Sequence, residues 1–216
     1  MWAIVVAAGE GRRFGRPKQF EVIGERLVLE WAVESARSVA DGVVLVLPPS
    51  RVCDEHCHGG ADVVVAGGEQ RADSVRAGLS ALPDDAKFVL VHDAARPLAS
   101  PALFRAVLAA LAGDCDGAIP ALAVSDTIKR VDADGSVIAT LDRSELVAVQ
   151  TPQGFRTEIL RKAHASGAGA TDDAALLEAI GARVVTVPGE AHNLKITNED
   201  DLAFVARHLA ERRIDG

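Results

Sequence analysis

The sequence has few cysteines, a deficit of cationic charge and no long apolar run. Its 216 residues hold three cysteines, an odd number that closes no disulfide framework and suits a reducing cytoplasm. No apolar stretch approaches the length of a membrane span. The apolar N-terminal stretch has no basic leader before it and is too short for a signal peptide, so neither a membrane nor a secreted location is expected. The formal net charge of −8 argues against a nucleic-acid groove spread over the surface. An anion site therefore has to be a local basic pocket in an acidic protein. Cys53-Asp54-Glu55-His56-Cys57-His58 gathers two cysteines and two histidines, but no second Cys/His pair downstream completes a tetrahedral site. That segment reads as a solvated helix or loop.

What is present is an ordinary globular composition, 49% apolar and 25% charged, long enough for one α/β domain with a full core. Strand-like runs at 2–7, 43–47, 62–66, 88–92 and 117–121 alternate with helix-period segments at 27–40, 72–82 and 100–112. This is the signature of a mostly parallel, Rossmann-like sheet covered by helices. Leu27, Trp31, Ser35 and Val39 recur every four residues on one helix face, and Ser100-Pro101 supplies an N-cap and a first-turn proline. Residues 127–131 and 137–141 flank Asp132-Ala133-Asp134-Gly135-Ser136, a β-hairpin signal. A lone hairpin is marginal in water, so this one has to lie on its own domain or on a second subunit. Further helices are expected at 157–166 and 172–180, strands at 184–187 and 193–196, and a last helix from Asn198. The expectation is a single domain, 1–216, with a projecting arm at 126–148.

The run Ala7-Ala8-Gly9-Glu10-Gly11-Arg12-Arg13-Phe14-Gly15-Arg16-Pro17-Lys18-Gln19 follows the first strand and carries four cations within seven residues. Glycine lets a backbone approach a ligand, and Arg and Lys match phosphate charge. The run lacks the Gly-Lys-Ser/Thr of a Walker A loop, and its third glycine comes one place late for the dinucleotide fingerprint. Taken alone it is either a nucleoside triphosphate loop or a solvated turn. Ligands of open parallel sheets bind beyond the carboxyl ends of the strands, and two more candidates fall there. Gly67-Gly68-Glu69-Gln70-Arg71-Ala72-Asp73-Ser74 is either a wall for a flat base, with Ser74 as a hydrogen-bonding side chain, or a plain loop and helix start. In His92-Asp93-Ala94-Ala95-Arg96-Pro97, Asp93 is either placed for a divalent cation that bridges phosphates or a turn residue paired with Arg96. Their convergence on one sheet edge favours a nucleotide site.

With these motifs in order, the chain resembles the cytidylyltransferases of the non-mevalonate isoprenoid pathway. The likeness runs from about Trp2 to Leu209. Asp126-Thr127-Ile128-Lys129, Thr151-Pro152-Gln153-Gly154-Phe155, Thr171-Asp172-Asp173 and Asn193-Leu194-Lys195-Ile196-Thr197 carry it further along the chain. The resemblance implies a sheet of the nucleotide-diphospho-sugar transferase type, CTP and 2-C-methyl-D-erythritol 4-phosphate as substrates, Mg²⁺, and a cytoplasmic homodimer joined by the arm. It implies that Arg13 and Lys18 bind the CTP phosphates, and that Gly68 and Ser74 read the cytosine. Ala7, Ala8, Gly9 and Gly11 would lie along the nucleotide, and Asp93 would approach the metal. Arg143 and Lys195 would hold the polyol phosphate, with Thr171 nearby, while Asp93, Arg96 and Thr127 would contact substrate in the neighbouring subunit's site. The loop before Pro17 is shorter than the family's pattern, which leaves open whether Arg12 or Arg13 faces the phosphates. A substrate phosphomonoester is already ionised at neutral pH, so the implied attack on the α-phosphorus requires charge neutralisation rather than a strong base, and no Ser/His/Asp or Cys/His arrangement is expected. Rival readings are a ribitol-5-phosphate cytidylyltransferase, a non-catalytic nucleotide-binding protein on the same fold and, least favoured, a dehydrogenase.

Overall fold

Alternation along the first strand sets the architecture. In β1 (Trp2–Val6), Ala3 and Val5 point to one face of the sheet and Ile4 to the other, and all three are fully buried. A strand buried on both faces needs helices on both sides. A computed structural model describes residues 1–11, 14–165 and 172–214. In chain order the elements after β1 are a small hairpin of β2 (Val22–Ile23) and β3 (Arg26–Leu27), then α1 (Val28–Arg37), β4 (Gly42–Leu47) and β5 (Val63–Ala66). There follow α2 (Arg71–Ser80), β6 (Phe88–Asp93), α3 (Pro101–Leu111) and β7 (Gly117–Ala123). The arm strands are β8 (Lys129–Val131) and β9 (Val137–Thr140), after which β10 (Val147–Val149) and β11 (Gln153–Arg156) return to the body. The chain continues as α4 (Thr157–His164), α5 (Asp173–Ala179), β12 (Val184–Pro188) and α6 (Glu199–Ile214).

Strands β6, β1, β4 and β5 run parallel in that spatial order. Antiparallel β11 is seated between β6 and β7, pairing Gln153 with Val91 on one side and Gly154 with Ala118 on the other. β10 continues along the same side of β7, and β12 runs parallel to β7 on its far side. One core layer joins Leu29 and Val33 of α1 and Phe104 and Val107 of α3 to Val5, Leu45 and Leu90 of the sheet. The opposite layer joins Val75 and Leu79 of α2, Leu160 of α4 and Leu177 of α5 to Ile4, Val44 and Val91. Gly78 of α2 permits close approach there, since a Cβ on it would stand 2.6 Å from Ile4 Cγ2. A third cluster, including Phe14, Val28, Ile196, Val205 and Leu209, seats α6 over the end of α1 and the first loop.

Two sequence expectations are corrected. The buried face of α1 is Val28, Leu29, Ala32, Val33 and Ala36. These small and branched side chains lie against the sheet, while the bulkier Trp31 stays half-buried beside the α6 cluster, 4.4 Å from the Arg26 guanidinium. Residues 193–196 form no strand; side-chain hydrogen bonds described below replace a ladder. The two returning strands β10 and β11 carry no clear signal in the sequence. Residues 53–58 form one short 3₁₀ turn, Glu55–Cys57, and no metal-holding group of three His, Cys, Asp or Glu occurs among the described residues.

The hairpin β8–β9 is paired as expected, Lys129 to Thr140 and Arg130 to Ala139. Its turn is held by Asp132, whose carboxylate accepts the N–H groups of Asp134 and Ser136 at 3.1 and 2.8 Å. Val131, Val137 and Ile138 are 51%, 63% and 54% exposed. Among the described residues no helix is long and apolar enough to cross a membrane.

Candidate active site

The parallel strands end side by side. Val6 is in register with Asp93 and Val46, and Leu47 with Ala66. The backbone carries these neighbours into the loops beyond: Ala7 N–H donates to Val46 O, Ala94 N–H to Val6 O and Gly67 N–H to Leu47 O, at 2.8, 3.0 and 2.8 Å. The loops after β1, β5 and β6 thus open on one cleft of about 600 Å³.

The first loop is shaped by two devices. Buried Gln19 donates its amide to the carbonyls of Ala7 and Gly9, at 2.7 and 2.8 Å, and draws the loop back on itself. Gly11, at φ +67°, accepts N–H bonds from Phe14 and Gly15. A Cβ on Gly11 would stand 1.9 Å from Arg16 O, so no other residue fits that turn. The second loop meets the first at Gly67, whose Cβ would stand 2.4 Å from Ala8 Cβ and 2.6 Å from Ser74 Oγ. Gln70 N–H donates to Asp73 at 3.0 Å and starts α2, which sets buried Ser74 and Arg71 on the wall.

Asp93 ends β6 with its carboxylate divided between two cations. Oδ1 accepts from Arg71 Nε at 3.1 Å and Oδ2 from Lys195 Nζ at 2.6 Å. Burial disfavours the ionised form, but Arg71, Lys195 and Arg96 outweigh it and hold the carboxyl well below the usual carboxylate range. Arg71 also donates Nη1 to Asp173 Oδ2 at 2.7 Å. Burial opposes its charge, and the two aspartates overcome that and hold Arg71 firmly protonated. Beyond Asp173 lies His164, whose Nε2 is 2.9 Å from Asp173 Oδ1. His92, directly before Asp93, is fully buried and pushed down to about 4 by loss of solvent. Its Nε2 faces the carbonyl of Arg96 at 3.2 Å, and a carbonyl only accepts, so the proton is on Nε2. Nδ1 then accepts from Thr151 Oγ1, which in turn accepts the Asp93 N–H at 3.0 Å.

Lys195 comes from an irregular segment fixed by polar bonds. Gln150 Nε2 donates to the carbonyls of Glu190 and Asn193, Asn193 Nδ2 to Thr151 O, and Ile196 N–H to Ala95 O. Arg96 adds a bond from Nη1 to Asn193 O at 2.8 Å. The turn reading of Asp93 thus holds for its backbone, since Arg96 N–H donates to Asp93 O, while the carboxylate pairs with Arg71 and Lys195.

Of the residues singled out in the sequence, Ala7, Ala8, Gly9, Gly11 and Lys18 line the cleft from the first loop. Gly68 and Ser74 line it after β5, Asp93 from the end of β6 and Lys195 from the segment before α6. Arg96, Thr127 and Arg143 do not line it; Thr127 and Arg143 are exposed at the arm, where Arg143 donates to Ser125 O. Arg13 and Thr171 lie outside the described residues. Arg16, counted among the loop's cations, is engaged by Glu21 and Glu199 at 2.6 and 2.7 Å. Sequence reasoning passed over Gln19, Arg71, Thr151 and Asp173, although each stands inside a motif it quoted.

Comparison with known proteins agrees with this geometry. Residues 1–211 match the family model described as IspD, 2-C-methyl-D-erythritol 4-phosphate cytidylyltransferase. A 2-C-methyl-D-erythritol 4-phosphate cytidylyltransferase from Rhodococcus jostii (strain RHA1) is 48% identical over 215 residues, 97% of this chain and 94% of that protein. One from Frankia casuarinae is 45% identical over 214 residues, 96% of this chain and 80% of that protein. The crystal structure of 2-C-methyl-D-erythritol 4-phosphate cytidylyltransferase from Thermus thermophilus superposes with a TM-score of 0.81 at 37% identity, covering 96% of this chain and 98% of that one.

Proposed function

The chain belongs to the 2-C-methyl-D-erythritol 4-phosphate cytidylyltransferase family, and on that premise we propose how its cleft joins CTP to 2-C-methyl-D-erythritol 4-phosphate. The carrying observation is that Lys18, Asp93 and Lys195 share one cleft with the glycine loops after β1 and β5. The cytosine stands against Gly68 and Ser74, and the triphosphate runs along Ala7, Ala8, Gly9 and Gly11 toward Lys18, with Arg13 beside it. The polyol phosphate sits at Lys195, with Thr171 nearby. One of its oxygens bonds to the α-phosphorus, the bridging bond to the β-phosphate breaks in line, and pyrophosphate leaves. No proton needs to be removed, and both reactants are anions, so the protein's work is positioning and charge neutralisation.

A divalent cation fits this donor set. Mg²⁺ is usually held by one or two carboxylates together with substrate phosphates and water. Each Asp93 oxygen accepts one bond here and so keeps a lone pair, and the residue lines the cleft. Mg²⁺ would supply further neutralisation of the phosphates. The exposed apolar side chains of the hairpin support a homodimer in which the 126–148 arm crosses to a second copy, bringing Thr127 and Arg143 to that copy's polyol phosphate. Arg96, engaged with the carbonyls of Asn193 and Val149, acts in this reading by bracing the Lys195 segment. The three free cysteines suit the cytoplasm.

The test is pyrophosphate release from CTP and Mg²⁺, with 2-C-methyl-D-erythritol 4-phosphate and ribitol 5-phosphate compared side by side. Release with the first alone is expected. Release with ribitol phosphate alone would move the chain to another pathway, and silence with both despite CTP binding would leave a non-catalytic nucleotide binder.

A further inference from the structure

Lys195 is only about one-third exposed and clamped to Asp93 at 2.6 Å. To hold a substrate phosphate it has to leave a carboxylate that is almost completely buried. A buried carboxylate stripped of its only cation is strongly disfavoured, and it would compete with the incoming phosphate for the ammonium group. Arg71 removes that conflict by holding the other Asp93 oxygen at 3.1 Å. Its own orientation is set from behind by Asp173, which is 1% exposed, does not line the cleft, and is itself met by His164 at 2.9 Å.

We propose that Arg71 and Asp173 are positioning residues that retain Asp93 when Lys195 exchanges it for the phosphate of the polyol substrate. Two observations support this. The guanidinium spans two carboxylates on separate elements through Nε and Nη1, a bridge that the single ammonium of a lysine does not reproduce. Among the described residues its Nη2 is buried with no hydrogen-bond partner. Burying an unpaired N–H costs stability, and such a cost kept at the wall of a cleft marks an orientation held for the site rather than for the core.

The inference rests on the cytidylyltransferase reading, and the experiment separates the two. The full chain and its Asp173→Asn, Arg71→Lys and doubly substituted variants are assayed with CTP and Mg²⁺ while 2-C-methyl-D-erythritol 4-phosphate is varied. Each single change should lower kcat/KM for the polyol phosphate by about tenfold, and Asp173→Asn should leave the KM for CTP within about twofold. Because both residues act through one contact, the double variant should be little worse than either single one. Losses that multiply in the double variant would assign the residues separate structural roles and overturn the inference. So would near-normal turnover in Asp173→Asn, or in Arg71→Lys should Asp173→Asn fail to fold. A wild-type chain without turnover overturns the cytidylyltransferase reading, and this inference with it.

Discussion

Lys18 reaches the cleft from a single 3₁₀ turn, Lys18–Phe20, whose next residue, Gln19, is tied to the glycine loop. The charge and the backbone cradle are therefore fixed as one piece. Lys18→Ala should lower kcat on the order of 10²–10³-fold with an unchanged circular dichroism spectrum, the loss expected when one charged group is withdrawn from a developing transition state. Near-normal turnover would remove Lys18 from the mechanism. His92 gives a prediction of another kind. Held at about 4 against an ordinary 6.5, it refuses a proton that the unfolded chain accepts, so stability is full above pH 6.5 and falls as pH drops toward 4. The loss is on the order of 3 kcal/mol. His92→Gln keeps a donor and an acceptor without titrating, and should flatten the melting temperature across that window; an unchanged slope would assign the acid sensitivity to other groups. Lys18, Asp93 and Lys195 were legible in the sequence because each sits in a short motif at a strand or segment end. The bridge from Arg71 to Asp173 spans 102 residues, and no local spacing announces a pair formed only when folding brings the first turns of α2 and α5 together.

Elements were legible where burial imposes a period. The five strand runs and the helices between them follow from alternation and from three- to four-residue spacing. β10 and β11 were not, because they are short and owe their extended shape to their partners, β7 for β10 and both β6 and β7 for β11, which also holds Gln153 and Gly154. The same dependence on neighbours governs Gly78. Alanine there would favour the helix by about 1 kcal/mol, but its Cβ would press on Ile4 at 2.6 Å in a fully buried position. Overpacking costs about 1–3 kcal/mol, and it should win. Gly78→Ala is expected to lower the urea midpoint; a raised midpoint would mean that α2 can ride further from β1 than the core indicates.

For the whole molecule, the contrast is between an acidic chain and a cleft in which Lys18, Arg71 and Lys195 match Glu10, Glu69 and Asp93 in number. A net charge of −8 coexists with a cleft where Lys18, Arg71 and Lys195 gather. The hairpin is the part that its own body leaves uncovered. Deleting 132–136 should weaken self-association in sedimentation experiments while leaving the cooperative melting of the body intact; an unchanged dimer would assign the interface to another surface. That the hairpin needs support, from its own domain or from a second subunit, was argued from the marginal stability of a lone hairpin, whereas its position, spliced between β7 and β10, could not be read without the sheet. The seat of β11 between β6 and β7 has a consequence for synthesis. Both neighbours leave the ribosome before residues 153–156, so each waits with an unsatisfied edge while the whole arm, between β7 and β11, is made. Unpaired edges recruit foreign strands, and the segment that fills this gap is also the one that brings Thr151 to the backbone of Asp93. The nascent chain therefore closes this gap and braces the wall of the cleft in the same step.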